Sequence, residues 1–73
     1  MSTITVYTTP GCPQCTTTFR ALDKANLDYT TVDLTTDDAA LARVKELGYS
    51  QAPVVVTDSD HWSGFRPDKI KAL

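Results

Sequence analysis

The 73-residue chain reads as an α/β domain, a four-stranded mixed sheet flanked by three helices in the order β-α-β-α-β-β-α. Three observations predict that architecture. Two alternating apolar segments, residues 3–8 and 29–34, are each followed by residues at helical spacing. A helix crossing between the first two strands makes them parallel. The run Val54-Val55-Val56, a turn at Asp58-Ser59-Asp60 and the pair His61-Trp62 form a hairpin, whose strands run antiparallel.

In the first strand Ile4 and Val6 share one face, and Thr5 and Tyr7 the other. Pro10-Gly11 ends it. Pro13 suits the first position of the first helix, where a missing N–H is no loss. Cys15, Phe19, Leu22 and Ala25 then recur at helical spacing and form an apolar stripe reaching Asn26. Residues 29–34 alternate and are rich in β-branched side chains; Asp33, opposite in phase to Val32 and Leu34, is expected to face solvent. Thr35-Thr36-Asp37-Asp38 supplies a cap and first-turn acids for a second helix that holds Ala39, Leu41, Ala42, Val44, Lys45 and Leu47, with Gly48 as its stop. The valine run is a buried third strand and His61-Trp62 a brief fourth. Ser63-Gly64 bends the chain, and Pro67 opens a last helix through Ile70 and Leu73. No repeat, linker or low-complexity tract intervenes, so residues 1–73 are expected to form one domain.

The formal charge of −2 arises from interspersed acids and bases. No basic stripe marks a nucleic-acid surface. Threonines interrupt the N-terminal apolar residues, so neither a signal peptide nor a membrane span is expected. The expected compartment is the cytoplasm, where a C-x-x-C motif serves redox or metal chemistry more often than a permanent bridge.

Cys12 and Cys15, in Thr9-Pro10-Gly11-Cys12-Pro13-Gln14-Cys15, are the two cysteines of the chain. They fall where strand pattern gives way to helix. A thiol at the first turn of a helix faces unpaired N–H groups and the positive end of the helix dipole, both of which favour thiolate. Residues three apart on a helix bring their Cβ atoms to about 5–6 Å, within reach of a disulfide after slight tightening. As a staple the pair is weak: closing so short a loop stabilises by about 2 kcal/mol, against about 3 for a fifteen-residue loop. Reactivity is the better reason for it. Cys12, at the helix terminus, is expected to be exposed and to attack; Cys15, on the apolar stripe, is expected to be covered and to resolve. A thiol whose ionisation is favoured gains thiolate but loses intrinsic nucleophilicity, so its net gain in attack is small while it becomes a better leaving group.

Zinc competes for the same motif but needs four ligands, and His61 is the one further natural candidate, with no partner at ligand spacing. His61 is expected to be an exposed strand residue. Gln14, between the cysteines, is either a solvated helix position or a neighbour that tunes the thiol and its docking. In Trp62-Ser63-Gly64-Phe65-Arg66-Pro67-Asp68, composition suggests a turn with Phe65 packed inward. Trp62 is hard to bury fully in a small domain and is expected to rim a docking surface near the thiols.

The element order resembles the thioredoxin fold in its minimal form, as found in glutaredoxins, over nearly the whole chain. Cys12-Pro13-Gln14-Cys15 after the first strand, Ala52-Pro53 before the third, and Trp62 to Asp68 together resemble the NrdH-redoxin family. That resemblance implies a dithiol electron carrier, reduced by thioredoxin reductase and donating to the large subunit of class Ib ribonucleotide reductase. NADPH and FAD belong to the reductase, so no bound cofactor is implied beyond the Cys12–Cys15 disulfide. It further implies a cis Pro53 facing the motif, with the Ala52 backbone beside Cys12. Pro10, Gly11, Pro13, Gln14, Ala52, Pro53, Trp62, Ser63, Gly64, Phe65 and Arg66 would form the partner-facing surface, with Arg66 bonded to nearby backbone. A monomer is expected.

A glutathione-dependent glutaredoxin is the alternative. Glutathione carboxylates need basic or helix-terminal donors beside the exposed thiol. No Lys or Arg precedes the motif, Arg20 lies about two turns beyond Cys12, and Ser63-Gly64-Phe65-Arg66-Pro67 replaces the Gly-Gly turn usual in glutaredoxins. A metal or iron–sulfur carrier using Cys12 across a dimer is a further alternative.

Overall fold

The computed structural model describes residues 3–73. The elements follow the predicted order: β1 (Thr5–Thr8), α1 (Pro13–Lys24), β2 (Thr30–Asp33), α2 (Asp38–Glu46), β3 (Val54–Val56), β4 (His61–Ser63) and α3 (Pro67–Lys71). The sheet order is β2-β1-β3-β4. β1 is parallel to β2 and antiparallel to β3, and β3 is antiparallel to β4.

Strand register decides the two cores. Val6 stands opposite Val55, and Val55 opposite Trp62, so these three side chains form one row across the sheet. That row packs with Ile4, Leu22 of α1 and Ile70 of α3. Because side chains alternate along a strand, Val54 points to the other face. There it packs with Leu34, Ala40 and Val44, the last two from α2. Helices α1 and α3 therefore cover one face and α2 the other.

Several boundaries differ from the sequence expectation. β1 begins at Thr5, yet the Ile4 carbonyl accepts from the Thr30 N–H at 2.9 Å and prolongs the ladder. The buried stripe of α1 is Cys15, Thr18 and Leu22, while Ala25 is exposed and Phe19 half-buried. Thr18 escapes a search for apolar spacing. Its hydroxyl donates to the Gln14 carbonyl at 2.8 Å, which satisfies the polar atom inside the helix and frees the methyl to pack. Phe19 instead stacks on Tyr29, with ring centroids 5.7 Å apart. The helix stops at Lys24, and Asn26 takes a left-handed conformation. Leu47 is the C-cap of α2 rather than an interior residue, followed by Gly48 at φ 89°. α3 ends at Lys71, leaving Leu73 exposed.

Asp37 caps α2 by accepting from the Ala40 N–H at 3.0 Å. Asp33 is half-buried rather than open to solvent. Its carboxylate accepts from the Thr35 N–H and hydroxyl at 2.8 and 2.6 Å, so it closes the turn after β2. Among the described residues no helix is long and apolar enough to cross a membrane, and no group of three or more His, Cys, Asp or Glu is placed to hold a metal.

Candidate active site

The motif occupies the junction between the end of β1 and the start of α1. Gly11 takes φ 71°, a left-handed turn that redirects the chain. Cys12 follows in an extended conformation as the N-cap of α1, with Pro13 in the first turn. A cap residue normally offers a side-chain oxygen to the orphan N–H groups. Here sulfur takes that place: Sγ of Cys12 accepts from the Cys15 N–H at 3.2 Å. The Cys12 carbonyl accepts from the Thr16 N–H at 3.3 Å, which begins the helix.

The two thiols are free and differ as the pattern predicts. Cys12 is part-exposed, whereas Cys15 is buried at 2% relative exposure. Burial pushes the Cys15 thiol up from its ordinary value, and its hydrogen bond with Cys12 adds to that. The Thr8 hydroxyl and Thr9 backbone oppose it without cancelling it. Cys15 is thus held protonated until something draws its proton away. A cavity of about 320 Å³ opens over both sulfurs, lined by Thr8, Thr9, Gly11, Pro13, Thr16 and Phe19 as well.

The other two sequence segments converge on the motif. The Ala52–Pro53 peptide bond is cis, and Pro53 is buried while Ala52 is part-exposed. The Pro53 carbonyl accepts from the Gly64 N–H at 2.8 Å. Gly64 takes φ 82°, and a Cβ there would lie 3.4 Å from Oε1 of Gln14. Gln14, the second of the two residues between the cysteines, therefore lies against the Gly64 turn. The Ser63 hydroxyl donates to the Gln51 carbonyl at 3.3 Å, a second tie between the same stretches. Pro10, Gly11, Pro13 and Gln14 are exposed, and Ser63, Gly64 and Phe65 part-exposed. Phe65 packs against the core row, as composition suggests.

Two expectations need correction. Trp62 does not rim a docking surface: it is buried at 4% relative exposure within the Val6–Val55 row. The register of β4 opposite Val55 turns it inward, onto the face that α1 and α3 cover. Its indole N–H finds no partner among the described residues. Arg66 does not bond to backbone. It is exposed and donates to the Asp68 carboxylate at 3.1 and 3.3 Å. Of the residues from Trp62 to Arg66, Ser63, Gly64 and Phe65 are part-exposed and Arg66 is exposed.

Sequence reasoning passed over Thr8 and Thr9, although their place directly before the motif was a usable signal. It also passed over the groove beyond them, of about 400 Å³, lined by Leu34, Leu41, Val44, Tyr49, Ala52 and others. That groove is larger than the cavity over the sulfurs and shares Thr9 with it as a wall. Both thiols line the smaller one. His61 is exposed on β4, as expected, and its Nδ1 lies 2.6 Å from the Tyr49 hydroxyl.

The chain matches the Glutaredoxin family model over residues 4–62. It is 37% identical to the glutaredoxin-like protein NrdH of Escherichia coli (strain K12), an alignment covering 96% of this chain and 86% of that protein. It is 42% identical to the gene 56 protein of Mycobacterium phage D29, covering 96% of this chain and 80% of that one. The solved structure of the glutaredoxin-like NrdH-redoxin from Escherichia coli superposes with a TM-score of 0.94, at 37% identity, covering 97% of this chain and 93% of that chain.

Proposed function

This chain belongs to the glutaredoxin family, beside the NrdH-like proteins within it, and from that premise we propose that it donates electrons by dithiol–disulfide exchange. Its oxidised substrate is class Ib ribonucleotide reductase, at the large subunit, and its own reductant is thioredoxin reductase. The chemistry needs no bound cofactor, because the electron pair is carried in the two sulfurs; NADPH and flavin serve the reductase. The cytoplasm is the compartment in which both partners and a reduced thiol pair coexist.

The steps follow from the exposure of one sulfur and the burial of the other. Thiolate Cys12 attacks one sulfur of the partner's disulfide; a Cys12–partner bond forms and the partner's second sulfur leaves as thiolate. Cys15 then gives up its proton and attacks Sγ of Cys12. The mixed disulfide breaks, the partner leaves with its electron pair, and a Cys12–Cys15 disulfide remains for the reductase to reduce.

One observation carries the choice of reductase over glutathione. The cavity over the sulfurs is lined by threonines, glycine, proline and phenylalanine, with no Lys, Arg or His among its walls. A tripeptide with two carboxylates finds no cation there. Lys45 lines the neighbouring groove and not the cavity that holds the sulfurs. The Escherichia coli NrdH-redoxin, a glutaredoxin-like protein with a thioredoxin-like activity profile, supports the same reading by similarity.

The test follows NADPH loss with an oxidised protein disulfide as acceptor. One arm contains thioredoxin reductase, and the other contains glutathione and glutathione reductase. Turnover in the first arm is expected. Turnover in the glutathione arm alone overturns the choice of reductant, and turnover in neither returns attention to metal carriage. Addition of oxidised class Ib ribonucleotide reductase to the first arm tests the electron acceptor.

A further inference from the structure

The stretch between α2 and β3, residues 47–53, flanks the thiol site, and the edge strand β4 holds it from outside. Three contacts do so at alternate positions. The Tyr49 hydroxyl lies 2.6 Å from Nδ1 of His61. The Ser63 hydroxyl donates to the Gln51 carbonyl, and the Gly64 N–H to the Pro53 carbonyl. Tyr49 is anchored at its other end as well: its N–H donates to the Val44 carbonyl at 3.1 Å, and its ring packs on the α2 core. The rings of Tyr49 and His61 meet edge to face, centroids 5.6 Å apart.

This pairing has no part in the thiol chemistry described above. Neither residue lines the cavity over the sulfurs. What the pair controls is the stretch it holds. Among the described residues, no hydrogen bond uses the N–H groups of Ser50, Gln51 or Ala52. Ser50 and Gln51 are exposed, and all three residues line the groove that shares Thr9 with the thiol cavity. Free backbone donors along such a groove suit an extended protein segment that carries a disulfide.

We infer that Tyr49 and His61 form a positioning pair: their hydrogen bond holds residues 50–52 in the conformation that pairs with the backbone of a protein disulfide substrate, while leaving the reactivity of Cys12 unchanged. This rests on the reading of the chain as a donor to protein disulfides. A small disulfide, lacking a flanking backbone, gains nothing from the pair. Fixing the loop before binding lowers the ordering penalty of association, which is the physical origin of the expected effect.

The experiment uses the reduced full chain and four variants: Tyr49→Phe, His61→Phe, the two combined, and His61→Asn, whose side-chain amide places a polar atom near the position of Nδ1. Second-order rate constants are measured against the disulfides of insulin and against hydroxyethyl disulfide. Loss of one hydrogen bond corresponds to about a three- to ten-fold slowing with insulin. Each single Phe variant should show it, the double variant should be no slower than either single, and His61→Asn should restore most of the rate. Hydroxyethyl disulfide should react with all of them as with the original chain. Unchanged insulin rates, equal slowing with both disulfides, or multiplied losses in the double variant each overturn the inference. Amide hydrogen exchange at Gly64, whose N–H donates to the Pro53 carbonyl at the end of the held stretch, separates it from the functional reading. If the unaltered chain fails to reduce insulin, the functional reading falls, and the role in substrate pairing falls with it. Faster exchange in Tyr49→Phe would then show only that the pair holds the loop.

Discussion

The Cys15 N–H donates to the sulfur of Cys12 across 3.2 Å, so the Cys12 side chain caps the helix in which Cys15 is buried. In the proposed exchange the part-exposed sulfur attacks first and the buried one second. A variant Cys15→Ser should stall after the first step and accumulate a mixed disulfide with the acceptor, visible by non-reducing electrophoresis and mass spectrometry. Cys12→Ser should form no adduct and show no turnover. An adduct through Cys15 in that variant would reverse the assignment.

Burial that raises the Cys15 thiol also links stability to pH. A thiol raised in the folded state ionises first in the unfolded chain, so the unfolded chain binds fewer protons as pH climbs. Stability of the reduced protein is complete below the ordinary thiol value of 9.0 and declines as pH rises from there through the folded value. Urea titrations between neutral pH and alkaline pH should show the midpoint falling. Cys15→Ser should lose this decline, and a decline of the same size in that variant would refute its origin in Cys15.

Asp37 caps α2 through a part-buried bond to the Ala40 N–H. Asp37→Ala should destabilise the fold by about 1 kcal/mol. Denaturant unfolding measures it directly, with thiol reactivity toward a small disulfide as the control that the site is intact. A loss below the scatter of the measurement would mean that water caps the helix equally well.

Trp62 closes the Val6–Val55 row from its buried place on β4. Trp62→Ala should cost about 3–5 kcal/mol, comparable to the whole stability of a domain this small. Loss of near-ultraviolet dichroism and of a cooperative transition would report it. Trp62→Phe keeps most of the ring and removes the indole N–H that lacks a partner. It should stay folded within about 1.5 kcal/mol and retain its rate with protein disulfides. A selective loss of that rate would restore Trp62 to the docking surface.

Much of this protein is written locally. The junction at Cys12 is an example: Gly11, the N-cap position and Pro13 each impose a backbone preference within a few residues, so the motif's place at a helix start was legible from the chain. The same holds for the Asp37 cap, the Gly48 stop and the valine strand, because capping, turn geometry and alternation are short-range effects. Cys15 could be assigned to the covered side for the same reason.

Tertiary structure decided what depends on partners distant in sequence. Thr18 satisfies its hydroxyl locally, on the Gln14 carbonyl four residues earlier, but its burial comes from packing across the fold. Trp62 turned inward because strand register set it opposite Val55, seven residues earlier in the chain and one strand away. The order β2-β1-β3-β4, the contact of Gln14 with the Gly64 turn, and the pairing of Tyr49 with His61 arise only when the sheet assembles. Short-range preferences choose the elements and the reactive sulfurs; long-range packing chooses which side chains border them, because burial and register are properties of the assembled sheet.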